Sequence, residues 1–99
     1  MSTQELLDRM RAALEDERAA IRRFDAEAVT RATAVKEDIL EKLLAAPASE
    51  RDVLTAGLRE LKGDLRRNLV LLAHARDYLR DAIELCVGGA SRSRIEAKL

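Results

Sequence analysis

The sequence predicts an all-α protein built as a long antiparallel helical hairpin or coiled coil, and three observations lead there. Apolar or near-apolar residues recur from Leu54 to Cys86 at alternating steps of four and three, a heptad seam that suits two packed helices and no β-strand. Charged residues make up 36% and aromatic residues 2% of the 99 residues, as in helical bundles. The single proline, Pro47, separates two long stretches of this kind.

The first stretch is predicted to begin with a capping box at Ser2. Residues 1–46 contain no proline or glycine, so we favour one continuous helix over Thr3–Ala45, about 43 residues and about 64 Å long. The alternative is a break near Phe24, which would produce a three-helix fold. It is favoured locally by Asp25, a good N-cap residue, and by the hydrophobic-staple spacing of Phe24 and Val29.

The second helix is predicted to follow a turn at Pro47, which lacks an amide hydrogen. Ser49 is a candidate N-cap for this helix, which would extend from near Glu50 to Val87, about 38 residues and about 57 Å. Two helices of such similar length favour an antiparallel hairpin.

Gly88 and the glycine after it are a natural helix stop. We therefore expect residues 1–89 to form the helical hairpin domain. The polar residues 90–99 are expected to form a flexible C-terminal tail.

Composition excludes several classes of partner. The formal net charge is zero, which provides no field for attracting nucleic acid. The longest apolar run, Leu69–Ala73, is far below the roughly 20 residues needed to cross a bilayer. Met1–Glu5 does not resemble a signal peptide, and one cysteine permits no internal disulfide. We expect a cytoplasmic protein with no membrane insertion.

No pattern of catalytic chemistry is found in the sequence. His74 is the single histidine and has no second ligand at metal-binding spacing. The sequence contains no glycine-rich phosphate loop and no nucleophile with a base partner. We expect no catalytic, cofactor-binding or metal site, and no enzyme. Cys86 is expected to be a small buried side chain on the seam.

Two polar residues interrupt the seams. Asn68 faces inward on the second helix, where a buried Asn sets register. Glu17 is its counterpart on the first helix. In a hairpin folded at Pro47, Glu17 should lie near Arg76 or Arg80 and form a salt bridge.

The second half of the long helix carries more apolar surface than one hairpin can bury. Fully burying a Leu or Ile side chain stabilises a protein by roughly 1.5–3 kcal/mol. Leaving five or six of them exposed to water would therefore lose on the order of 10 kcal/mol of stabilisation, comparable to the whole stability of a small domain. Three occupants remain open: a third helix of this chain, a second hairpin in a homodimer, or an amphipathic helix from another protein. The candidate partner-binding residues are Leu69, Val70, Leu71, Tyr78, Ile83 and Leu85.

The order of these features resembles the FlgN family of flagellar export chaperones. That family shows a Glu before an apolar residue, an Asp-containing jog, a Lys before a Leu pair, and an Asn followed by leucines. The matching residues here are Glu17, Ile21, Asp25–Val29, Lys36, Leu40, Leu43, Asn68, Leu71, Leu72, Tyr78 and Leu79.

The resemblance implies a cytoplasmic chaperone that binds C-terminal helical segments of the hook–filament junction proteins FlgK and FlgL and delivers them to the flagellar type III export gate. The wide apolar face would then be the client groove. This chain departs from the family in having no Tyr after Gly89, a feature associated with docking on the export gate. The alternatives are a structural coiled-coil dimerisation or adaptor module, and a sister chaperone for the filament cap protein.

Overall fold

The structure, a computed structural model, describes residues 1–87 and confirms the all-α prediction. Its helices are α1 (Thr3–Arg22), α2 (Ala26–Leu44) and α3 (Arg51–Val87), with one 3-10 turn (Ala48–Glu50) before α3. The described part of the chain contains no strand. The predicted stop at Gly88 and the predicted tail lie outside the described residues.

The favoured continuous first helix is wrong, because the chain breaks at Phe24 and the three-helix alternative is found. Phe24 has φ 55°, in the left-handed region. Its amide donates to Ile21 O at 3.0 Å, and the Asp25 amide donates to Ala20 O at 3.1 Å. This pair of bonds is a Schellman motif, which ends a helix and usually has glycine at the left-handed position.

Side-chain caps explain where two of the helices begin. Ser2 and Asp25 each accept a hydrogen bond, both 3.1 Å long, from the amide three residues further on. The cap at Ser2 was predicted, and the cap at Asp25 belongs to the three-helix alternative. The predicted cap at Ser49 is wrong: the 3-10 turn starts after Pro47 with no side-chain cap. A strong cap at Asp25 favours a new helix at that point over continuation of α1.

Helix α1 runs antiparallel to α2 and parallel to α3. The Thr3 hydroxyl, at the start of α1, donates to the Glu50 carboxylate beside the start of α3. Near the other end of α1, the Arg18 guanidinium lies 3.3 Å from Asp64 of α3. The core lies along α1, where it meets both other helices. Its buried members are Leu6, Leu7, Met10, Ala13, Leu14, Ile39, Leu43 and Leu61.

The three helices differ in length, so α1 packs against only the first half of α3. Helix α3 has 37 residues and α1 has 20, or about 55 Å against about 30 Å at 1.5 Å per residue. The buried residues of α3 are Leu61 and Asn68. Beyond Asn68 the described part of α3 has only half-buried and exposed side chains.

We predict opposite effects of alanine at two glycines of α3. A Cβ on Gly57 would lie 3.0 Å from Leu7 Cγ and 2.8 Å from Leu7 Cδ2, whereas a Cβ on Gly63 would meet nothing within 4 Å. Both substitutions improve helix propensity by about 1 kcal/mol, but Gly57→Ala overpacks the core, at about 1–3 kcal/mol. Urea unfolding should therefore find Gly63→Ala more stable than Gly57→Ala by about 1–3 kcal/mol. Equal stabilisation by both would contradict the close approach of α1 to α3.

Candidate functional site

The second half of α3 carries a large exposed apolar surface. Leu69 is 63% and Tyr78 64% exposed, although such side chains are usually buried. Among the six candidate residues, Leu71 is half-buried and the other five are exposed. The large apolar side chains of residues 69–87 that are at least 38% exposed are Leu69, Val70, Leu72, Tyr78, Leu79, Ile83, Leu85 and Val87.

The six candidate residues do not form one patch. At 100° per residue, Leu71, Tyr78 and Leu85 form a ridge along one side of the seam. Ile83 and Leu69 lie on its other side. Val70 points from the opposite face of α3, so no single partner helix can contact all six.

An apolar groove of about 540 Å³ lies where α3 passes the break between α1 and α2. Its α3 wall consists of seam residues and one shoulder of the helix. The other wall comes from the end of α1 and the first turn of α2. The residues that line it are Ile21, Phe24, Ala26, Val29, Thr30, Leu72, Ala75, Arg76, Leu79, Arg80, Ile83 and Glu84.

Sequence reasoning found one residue of this groove, Ile83, and missed the rest. Leu72 and Leu79 belong to the heptad seam, and the hairpin prediction places the first helix of the chain over them. The spacing of Phe24 and Val29 was a usable signal, because it marked the break that leaves these seam residues uncovered.

The two aromatic residues of the chain meet at the groove. The ring centroids of Phe24 and Tyr78 lie 5.4 Å apart, with ring planes inclined by 37°, inside the range of favourable aromatic pairs. Both side chains remain about half exposed or more. Phe24 therefore connects the wall of the groove to the ridge that contains Tyr78.

A buried polar network lies one helical turn before the groove. The Asn68 amide donates to Leu14 O at 2.8 Å and to Glu17 Oε1 at 2.9 Å. Glu17 Oε2 accepts from Lys36 Nζ and from the Thr33 hydroxyl, both at 2.9 Å. Glu17 and Asn68 are each only 2% exposed, and their network joins all three helices.

This network confirms the inward position of Asn68 but corrects the partner predicted for Glu17. Glu17 does not lie near Arg76 or Arg80, because the break at Phe24 makes α1 parallel to α3 and sets Glu17 beside Asn68. Burial raises the pKa of the Glu17 carboxyl, but the bonds from Lys36, Asn68 and Thr33 and the Lys36 charge outweigh it, so the pKa is lowered.

The cysteine, the possible metal ligands and the hydrophobicity of the helices indicate no further site. Cys86 is exposed, so its predicted burial is wrong; the part of the seam that contains it extends beyond α1. No group of three potential metal-ligating side chains lies together within residues 1–87. None of the described helices combines the length and apolar character of a membrane span.

Comparison with protein-family models, curated proteins and solved structures finds no match to this chain.

We predict that α3 tolerates the loss of a large apolar side chain in its second half and not in its first. Ile83→Ser removes a side chain that is 63% exposed and should change the free energy of unfolding by about 0.5 kcal/mol or less. Leu61→Ala, at a fully buried position, should cost about 2–5 kcal/mol. Chemical denaturation measures both. A large cost for Ile83→Ser would mean that its side chain is packed within the folded chain.

We predict that Glu17 makes stability depend on pH in the acid range. Its pKa is lower in the folded protein, so its contribution is complete above the unfolded value of about 4.3. The contribution is lost as pH falls through the folded pKa, where the unfolded state binds more protons. Urea unfolding at pH 6, 5, 4 and 3 should show a steeper acid loss for the native protein than for Glu17→Gln. Glu15→Gln, at an exposed position of the same helix, should keep the native pH profile; a native profile in Glu17→Gln would contradict the prediction.

Proposed function

We propose that this protein is a helix-binding export chaperone of the FlgN type, and that the groove beside the break at Phe24 holds its client. The observation that supports the proposal is the exposed apolar surface of α3, which continues the seam beyond the end of α1 at Arg22. An amphipathic helix laid along that seam would occupy the position that α1 has in the first half.

Burial energetics favour an occupant. Each Leu or Ile moved from water into a packed interface contributes roughly 1.5–3 kcal/mol. Leu72, Leu79 and Ile83 face the groove and are only partly covered by the chain itself. A bound helix would bury these side chains together with its own aggregation-prone apolar face. Shielding such a face from water is what a chaperone does for its client.

The proposed clients are the C-terminal helical segments of the junction proteins FlgK and FlgL. The chaperone would hold such a segment in the cytoplasm and release it at the flagellar export gate. Holding and release require binding alone, so the proposal involves no catalytic residue and no cofactor. The resemblance described above is what points to these clients, and the groove is what points to a helix.

A second candidate function is a structural dimerisation module. The observation that favours it is the ridge of Leu71, Tyr78 and Leu85, whose seven-residue spacing suits a coiled-coil partner. The ridge is beside the groove and does not line it. A homodimer could therefore form through one side of α3.

The client test places a charge inside the groove. Leu79→Glu should weaken binding of a FlgK C-terminal peptide at least tenfold, about 1.4 kcal/mol, because a charged side chain on the floor of the groove must lose its hydration when an apolar helix covers it. Fluorescence anisotropy measures the affinity, and circular dichroism checks that the variant stays helical. Val70→Glu, on the opposite face of α3, is the matched control and should bind normally. Normal binding by a folded Leu79→Glu variant would argue against the groove.

The ridge test uses Leu71→Glu with Tyr78→Glu. If the ridge binds client as well, this double variant should also lose peptide affinity while keeping its helicity. If the ridge is a dimer contact, light scattering should find a dimer for the native chain and a monomer for the variant. A tight dimer that binds no FlgK, FlgL or filament-cap peptide would favour the structural module.

A further inference from the structure

We propose that the groove selects an amphipathic helix with acidic residues along its flanks, so that charge as well as apolar contact chooses the partner. The inference rests on the proposed function, because it describes the helix that the groove would take. The groove has two arginines on its rim, Arg76 and Arg80, and these are the residues that would attract acidic side chains.

Arg76 and Arg80 are four residues apart on α3 and both line the groove, so their side chains lie on the same side of the helix, one turn apart. Both are exposed. Arg76 has no hydrogen bond or ion pair with any residue of the described part of the chain. Arg80 contacts Asp77 at 3.1 Å, and the two side chains of this pair are 65% and 57% exposed. Such an exposed pair is weak, which leaves both guanidinium groups ready to meet a carboxylate.

The opposite wall provides no carboxylate for these arginines. The α2 residues that line the groove are Ala26, Val29 and Thr30, all uncharged. Glu84 is the acidic residue of the lining and lies at the far end, one turn beyond Arg80 and two turns beyond Arg76. The middle of the groove therefore has an apolar floor and a basic rim.

A second copy of this chain fits that rim poorly. If another α3 laid its seam in the groove, the positions flanking its seam would face the arginines. Those positions are occupied by Leu71, Tyr78 and Leu85 on one side and by Leu69, Arg76 and Ile83 on the other. They include no carboxylate, so self-association would bring an arginine against the basic rim. A partner with acidic flanks is complementary where a second copy is not.

The length of the groove sets the length of the segment. Its α3 wall extends from Leu72 to Glu84, about 19 Å at about 1.5 Å per residue. A helix of about four turns fills it. The Phe24 ring lies beside Tyr78, halfway along this wall, so an apolar residue near the middle of the segment would contact it.

The test uses the full chain and three synthetic 15-residue helical peptides. The peptides share one leucine stripe and differ only at two positions, four residues apart, on each flank of the stripe: Glu in the first, Gln in the second, Lys in the third. At low salt the Glu peptide should bind about tenfold more tightly than the Lys peptide. Because exposed charges are screened, 0.5 M NaCl should reduce that preference to about threefold or less.

Variants that remove charge test whether Arg76 and Arg80 cause the preference for the Glu peptide over the Lys peptide. Arg76→Gln with Arg80→Gln should abolish the preference for Glu over Lys while leaving the affinity for the Gln peptide within about twofold. The matched control is Arg66→Gln with Arg67→Gln, which removes the same charge from exposed positions of the same helix outside the groove. This control should keep the preference.

The outcomes separate this inference from the proposed function. Equal binding of all three peptides overturns the acidic-flank inference and leaves a helix-binding groove. Tighter binding of the Lys peptide overturns it as well. Failure of all three peptides to bind overturns both. Sedimentation of the chain alone identifies a second copy: a stable dimer that persists in the variant with Leu71→Glu and Tyr78→Glu, and that does not bind the Glu peptide, makes the groove a self-association surface and overturns the inference.

Discussion

The contact between Glu17 and Asn68 is the constraint on which the arrangement of the three helices depends. A buried carboxylate is tolerated because Lys36 from α2 and Asn68 from α3 both bond to it. Sliding either helix by one turn would leave these groups unpaired in the core, which is strongly destabilising. The network therefore fixes the register of α2 and α3 against α1. Ile21 and Leu72, one turn beyond this network on α1 and α3, consequently both line the groove.

Much of this fold follows from sequence pattern alone. The four-three spacing predicts α3 and the inward position of Asn68, and local capping chemistry predicts the start of α1. The break at Phe24 was harder to predict, because a run without proline or glycine favours one continuous helix while Asp25 favours the start of a new helix. Matched helix lengths then argued for the wrong choice. A phenylalanine at the left-handed position of a Schellman motif hid the break, since glycine is the usual signal.

The groove was less accessible to sequence reasoning because it depends on where a neighbouring helix stops. Leu72 and Leu79 have the spacing of buried seam residues, and Leu61 with the same spacing is buried. What distinguishes them is that α1 ends at Arg22 and α3 continues, a tertiary fact absent from the pattern of α3. The candidate residues predicted from the sequence lie mostly on the shoulders of α3, whereas the uncovered seam residues Leu72, Ala75 and Leu79 line the groove.

The left-handed backbone at Phe24 also has a consequence for how this protein could change over evolutionary time. Side chains other than Gly, and Asn or Asp, are disfavoured there by about 1 kcal/mol or more, so selection for a relaxed backbone alone would replace the phenylalanine. An aromatic ring at this position has a strained backbone, but it contacts Tyr78 and lines the groove. Descendants freed from the need for these contacts should drift to glycine here, with the turn itself preserved.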